Sequence, residues 1–244
     1  MFKFRTLAKM RYVSRLGLIF TSLAILMIFL FSFYTRQVGG YTFELTDPSI
    51  GNKGMILSDN KEFINPTDAL YAEPKNKAWP IGVINNPEAI PIEITSIETF
   101  KDGSDNGLNY FAYTFYVKNV GIEDLDYNIK LYITEAERNI EKAIRIMIIH
   151  TKDYFGEKIK EEGVYAQLQS EKGTNPNTPE PGSIPFYNGN IVINQNRFDF
   201  EVDMVDQFTV IMWLHGEDPD CTDVGEESII EGKLSMTMKL SILA

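Results

Sequence analysis

The densest run of side chains able to do chemistry is Trp213-Leu-His-Gly-Glu-Asp-Pro-Asp-Cys-Thr-Asp, which carries Glu217, Asp218, Asp220 and Asp223. Hard oxygen donors this close together are the ligands a calcium ion takes. The spacing is not that of an EF-hand: counted from Asp218, the sixth position holds Asp223 where a glycine is required, and the twelfth holds Ile229 where a glutamate is required. The segment therefore reads either as a solvated acidic turn whose carboxylates cap nearby amides or as a Ca2+ loop. His215 and His150, the two histidines of the chain, each end an apolar run. On neighbouring strands they could join a carboxylate as a two-histidine metal site, although no H-E-x-x-H pair is present. Cys221 is the single cysteine, so an intramolecular disulfide is excluded, and its acidic neighbours disfavour the thiolate a nucleophile needs. Glu161-Glu162 and Glu226-Glu227 read as charged turns, and no G-x-S-x-G, phosphate-binding or dinucleotide fingerprint occurs. No catalytic residue is assigned, and a non-enzymatic role is the expectation.

The elements that must position these groups are mostly strands. Tyr41–Leu45, Ile90–Phe100, Leu108–Lys118, Leu125–Ile133 and Lys233–Leu243 alternate apolar and polar residues, the pattern of half-buried strands. Phe208–Leu214 is continuously apolar and suits a central strand buried on both faces. One helix is expected over about residues 135–143, opened by a Thr134-x-x-Glu137 capping box and running into a β-branched strand, Ile144–His150. Glu171–Asn190, with four prolines, reads as a long surface loop, and Asn52–Pro91 as mixed strands and loops. Tyr110, Ala112, Thr114 and Tyr116 share one strand face and offer a candidate binding surface. Many short strands with one lateral helix define a mainly all-β chain, an antiparallel β-sandwich of jelly-roll or immunoglobulin-like type.

Charge divides the chain. Of its 23 cations and 34 acids, residues 1–36 hold six cations (Lys3, Arg5, Lys9, Arg11, Arg15, Arg36) and no acid, leaving the other 208 residues with 17 cations and a net charge of −17. Leu16–Tyr34 contains no group that titrates near neutrality. At about 1.5 Å per helical residue it matches a bilayer's hydrocarbon core of about 30 Å. Five cations precede it, which places the N-terminus in the cytoplasm. The expected organisation is a basic cytoplasmic segment over residues 1–15, a transmembrane signal-anchor helix over 16–34, a tether over 35–40 and an extracytoplasmic sandwich over 41–244. The run exceeds the apolar region of a cleaved signal and lacks a small-x-small cleavage site. The acidic balance argues against a nucleic-acid partner.

Phe115-Tyr-Val-Lys-Asn-Val-Gly, Asn139-Ile-Glu-Lys-Ala-Ile-Arg-Ile, Val164-Tyr-Ala and the Trp213-Leu-His-Gly-Glu-Asp-Pro-Asp-Cys string leading to Gly232-Lys-Leu-Ser-Met-Thr-Met together resemble the camelysin/TasA-like exported proteins of Firmicutes. The resemblance covers Leu108 to Ile242, about half of the chain. It implies a jelly-roll-type sandwich at the cell surface or in the biofilm matrix, with some relatives forming fibres and some described as surface metallopeptidases. The expected function is thus that of a membrane-anchored envelope or matrix protein of a Gram-positive bacterium. It would bind the bilayer through Leu16–Tyr34 and exported or cell-wall partners through the acidic domain. A camelysin-like metallopeptidase and a cation- or ligand-binding surface module are the alternatives.

Overall fold

The computed structural model describes residues 17, 20–27, 40–72, 101–107, 109–154, 156–169, 177–221, 229 and 232–243. The chain divides into two compact units, Met1–Val38 and Gly39–Ala244. In the first, residues 20–27 are helical, the Thr21 hydroxyl donates to the Gly17 carbonyl, and Phe20, Leu23, Ile25, Leu26 and Met27 are exposed. The basic segment, the tether through Gly39 and the rest of Leu16–Tyr34 lie outside the described residues, as does Ile90–Phe100. Among the described residues no helix is long and apolar enough to cross a membrane.

The second unit is two sheets around one apolar core. The smaller sheet has the order β11 (Ile191–Phe200), β7 (Leu125–Ala136), β13 (Leu234–Ile242), β1 (Tyr41–Thr46), β4 (Ala69–Ala72). The larger runs β10 (Ile184–Pro185), β9 (Glu157–Ala166), β8 (Ile144–Tyr154), β12 (Val205–Leu214), β6 (Tyr110–Asn119), β3 (Lys53–Ser58), β2 (Ser49–Ile50), with β5 (Gly103–Ser104) also on β6. Pairing is antiparallel except for β1 on β13 and β10 on β9, which are parallel. The sandwich is therefore not the purely antiparallel one expected from sequence. A strand meeting a neighbour from the far end of the chain is not bound by hairpin geometry and can take either direction.

Alternation decides which residues are inside. On β7, Leu125, Tyr127, Ile129, Leu131 and Ile133 are buried with half-buried residues between them, and β13 repeats the pattern. Phe43 from the small sheet stacks on Tyr113 at 4.8 Å and lies 4.6 Å from Phe115 across the core. Burying each such ring contributes about 1.5–3 kcal/mol. β12, between β8 and β6, is buried on both faces as its apolar run requires: Phe208, Val210 and Met212 join the main core, while Ile211 packs outside with Ala112, Met147 and Ile149.

The expected helix is largely replaced by strand. β7 continues through Thr134 to Ala136 because β13 and then the Lys233 carbonyl, which accepts from the Glu137 amide, offer ladder partners that outcompete the capping box. Only Ile140–Ala143 is helical (α1). It follows Arg138 and Asn139, both at positive φ, and Asn139 makes no side-chain cap.

Candidate functional site

The acidic loop does not gather its carboxylates. Asp218 is buried and turned inward: Arg145 Nη2 lies 2.8 Å from its Oδ2, and its Oδ1 accepts the Asp220 amide. Glu217 is exposed, Asp220 is half-buried, and Asp223 lies outside the described residues. Among the described residues no group of three or more His, Cys, Asp or Glu side chains could hold a metal ion.

Arg145 in turn lies 3.1 Å from Glu180 Oε2, so one buried guanidinium faces two buried carboxylates. Glu180 belongs to the proline-rich segment that reads from sequence as a surface loop. Its described part is instead tied down: Ser183 donates by hydroxyl and amide to the Glu180 carbonyl, Phe186 donates to Ala166, and Ile184–Pro185 pairs with β9. Burial of Arg145 follows from its phase on β8, where the odd-numbered residues Arg145, Met147 and Ile149 point away from the main core.

The two histidines are held apart. His150 faces Phe208 and His215 follows Leu214, at opposite ends of the β8–β12 pair. Seven residue steps of strand separate Phe208 from His215, roughly 23 Å at strand rise. His150 nevertheless has a carboxylate beside it, and this is the most organised group of polar side chains in the domain. Asp206 on β12 takes His150 Nε2 at 3.0 Å, the Tyr127 hydroxyl at 2.7 Å and Arg197 Nε at 3.0 Å on Oδ2, and the Asp153 amide at 3.1 Å on Oδ1. Arg197 also donates to the carbonyls of Asp153, Phe198 and Asp199 and lies over the Phe200 ring. His150 stacks on Phe208 at 4.1 Å.

Electrostatics fix the protonation states. Burial pushes the His150 imidazole below its ordinary range, and the Asp206 carboxylate only partly offsets this, so the ring is neutral with Nε2–H donating. Burial alone would raise the Asp206 carboxyl, but the hydrogen bonds from His150 and Tyr127 and the charge of Arg197 bring it below the usual range. Tyr127 is pushed well above its ordinary value, first by burial and then by the Asp206 charge, and stays a phenol. All four side chains are buried, two from each sheet. Such a group joins the two sheets through buried hydrogen bonds.

Most of the face offered by β6 as a binding surface is also closed, with Tyr110 half-buried at its end. Ala112, Thr114 and Tyr116 are buried, Thr114 hydrogen-bonds Thr209, and the Tyr116 hydroxyl donates to Asp102 at 2.6 Å. Cys221 is half-buried against the core and in no disulfide. Sequence reasoning missed Arg145, Glu180, Arg197 and Asp206. The signal available was a lone charge inside an apolar strand pattern, as in Ile144-Arg-Ile and Val205-Asp-Gln-Phe. The chain matches no family model, no curated protein and no solved structure.

Proposed function

We propose that this chain is a single-pass membrane protein of a Gram-positive cell envelope, with a jelly-roll or immunoglobulin-like sandwich outside the membrane and a structural or protein-interaction role there. The observation that carries the reading is the apolar helix over residues 20–27. Its large side chains face outward, inside a stretch free of charge from Leu16 to Tyr34 that follows five cations. An exposed apolar helix needs an apolar medium, and the charge asymmetry orients it. The domain supports a non-catalytic role, because its most organised polar groups are consumed in holding the sheets together. The resemblance to camelysin/TasA-like proteins supports placement at the cell surface or in the matrix.

Alkaline carbonate extraction of membranes, protease treatment of intact cells and N-terminal sequencing test this together. The expected result is a carbonate-resistant protein that is degraded from outside and retains residues 1–36. A mature N-terminus near Gln37 or Tyr41 would overturn the anchor, and protection from external protease would overturn the orientation.

A further inference from the structure

We propose that the end of the sandwich remote from Gly40 is a docking tip for a protein surface with an apolar centre and a lysine- or arginine-rich rim. The Gly40 end is fixed by the Gly40 carbonyl accepting from Met236, which pairs with Ile133 near the end of β7. The opposite end of β7, at Leu125, lies about 25 Å away at strand rise. Three connections meet there: the β2–β3 turn, the β6–β7 loop and the β11–β12 turn. They are laced into one body: Val120 and Gly121 donate to the Gly54 carbonyl, Ile122 to Asn52, Val202 to the Asp124 carboxylate and Asp203 to Asn119.

On this body Ile50, Val120, Ile122 and Val202 are exposed, Ile122 at 76%. Apolar side chains on loops fixed by hydrogen bonds lose little entropy on binding, the condition for an effective contact surface. Charge selects the occupant. Around these loops Glu123, Asp124, Asp199, Glu201 and Asp203 outnumber Lys53 and Lys118, the latter paired with Asp203 at 2.7 Å, within a portion of the chain whose net charge is −17. A second copy would bring like charge to like charge, and an anionic lipid surface would repel the tip in the same way. A basic rim around an apolar centre matches both features. This inference rests on the proposed export for the partner's location but not for the chemistry of the tip.

The test uses the full chain in detergent micelles, titrated calorimetrically with a synthetic peptide of alternating lysine and leucine. Alternating glutamate–leucine and lysine–serine peptides serve as controls. The expected result is binding of the lysine–leucine peptide alone, about tenfold weaker in Ile122→Ser/Val202→Ser and in Glu123→Gln/Glu201→Gln, and unchanged in Glu161→Gln/Glu162→Gln on β9. Melting temperatures of the variants establish that each is folded. Equal loss in the β9 variant, or none in the tip variants, would overturn the site. Dimerisation abolished by Ile122→Asp would assign the tip to a second copy and overturn the basic partner. Tip-dependent binding by a protein that fractionates away from the envelope would leave the site standing and remove the proposed function.

Discussion

The Tyr127 hydroxyl on β7 reaches across the sandwich to the Asp206 carboxylate on β12 at 2.7 Å, the shortest of three side-chain donors on the same oxygen. The bond joins the two sheets through groups that both lie out of solvent. Its worth therefore depends on what else would have to pair if it were lost.

Tyr127→Phe removes one donor and leaves Asp206 with Arg197 and His150, so destabilisation of about 1.5–3 kcal/mol is expected, the range for a hydrogen bond to a charged group. Asp206→Ala strands the buried Arg197 and is expected to cost about 3–5 kcal/mol. Thermal melts monitored by circular dichroism separate the two, with the second variant lower by several further degrees.

Acid should loosen the domain in two stages. His150 is held neutral in the folded state below its ordinary range, so the unfolded chain takes up the proton first as pH falls through about 6.5. Stability is then lost from there down to the folded value. Half-buried His215 is shifted in the same direction, chiefly by burial, and adds to the slope. Asp206 contributes stability above the ordinary carboxylate range that is lost as pH falls through its depressed folded value. Urea melts across this range should show a shallower decline between pH 6.5 and 5 for His150→Gln than for the parent chain, measured against each variant's own stability at pH 7.5.

Arg145→Met removes the guanidinium that pairs with both buried carboxylates, Glu180 and Asp218, so a loss of about 3–5 kcal/mol is expected. Adding Glu180→Gln and Asp218→Asn to that variant should recover part of the loss. Limited proteolysis should cut between Asn177 and Phe186 faster in Arg145→Met than in the parent, because Glu180 no longer ties that segment down.

Calcium added in excess is expected to leave the melting temperature unchanged. Asp218 is already neutralised by Arg145, and an ion would have to displace that contact. A rise that disappears in Asp220→Asn would establish the cation loop.

The strands legible in the sequence are those whose neighbours bury one face or both: β7 and β13 by alternation, β12 by its unbroken apolar run. β9 and β11 carry Glu157-Lys-Ile-Lys-Glu-Glu and Ile193-Asn-Gln-Asn-Arg, with most side chains exposed or half-buried, so little hydrophobic period was there to read. The capping box at Thr134 was a genuine local signal, overridden by a ladder partner about 100 residues later in the chain, which is information no window contains. The polar site was least legible. Arg197 and Asp206 look like surface charges until the β11–β12 turn brings them within 3.0 Å.

The parallel contact of β1 with β13 bears on the timing of assembly. Thr42 and Thr237, whose hydroxyls lie 2.8 Å apart, are separated by 195 positions. β1 lies between β4 and β13, so half of its ladder is unavailable until almost the whole polypeptide has been delivered. Because synthesis runs from the N-terminus, the first strand of this domain leaves the ribosome half-paired, and closure of the small sheet waits for β13. Folding is therefore a late, whole-domain event with a high entropic cost of loop closure.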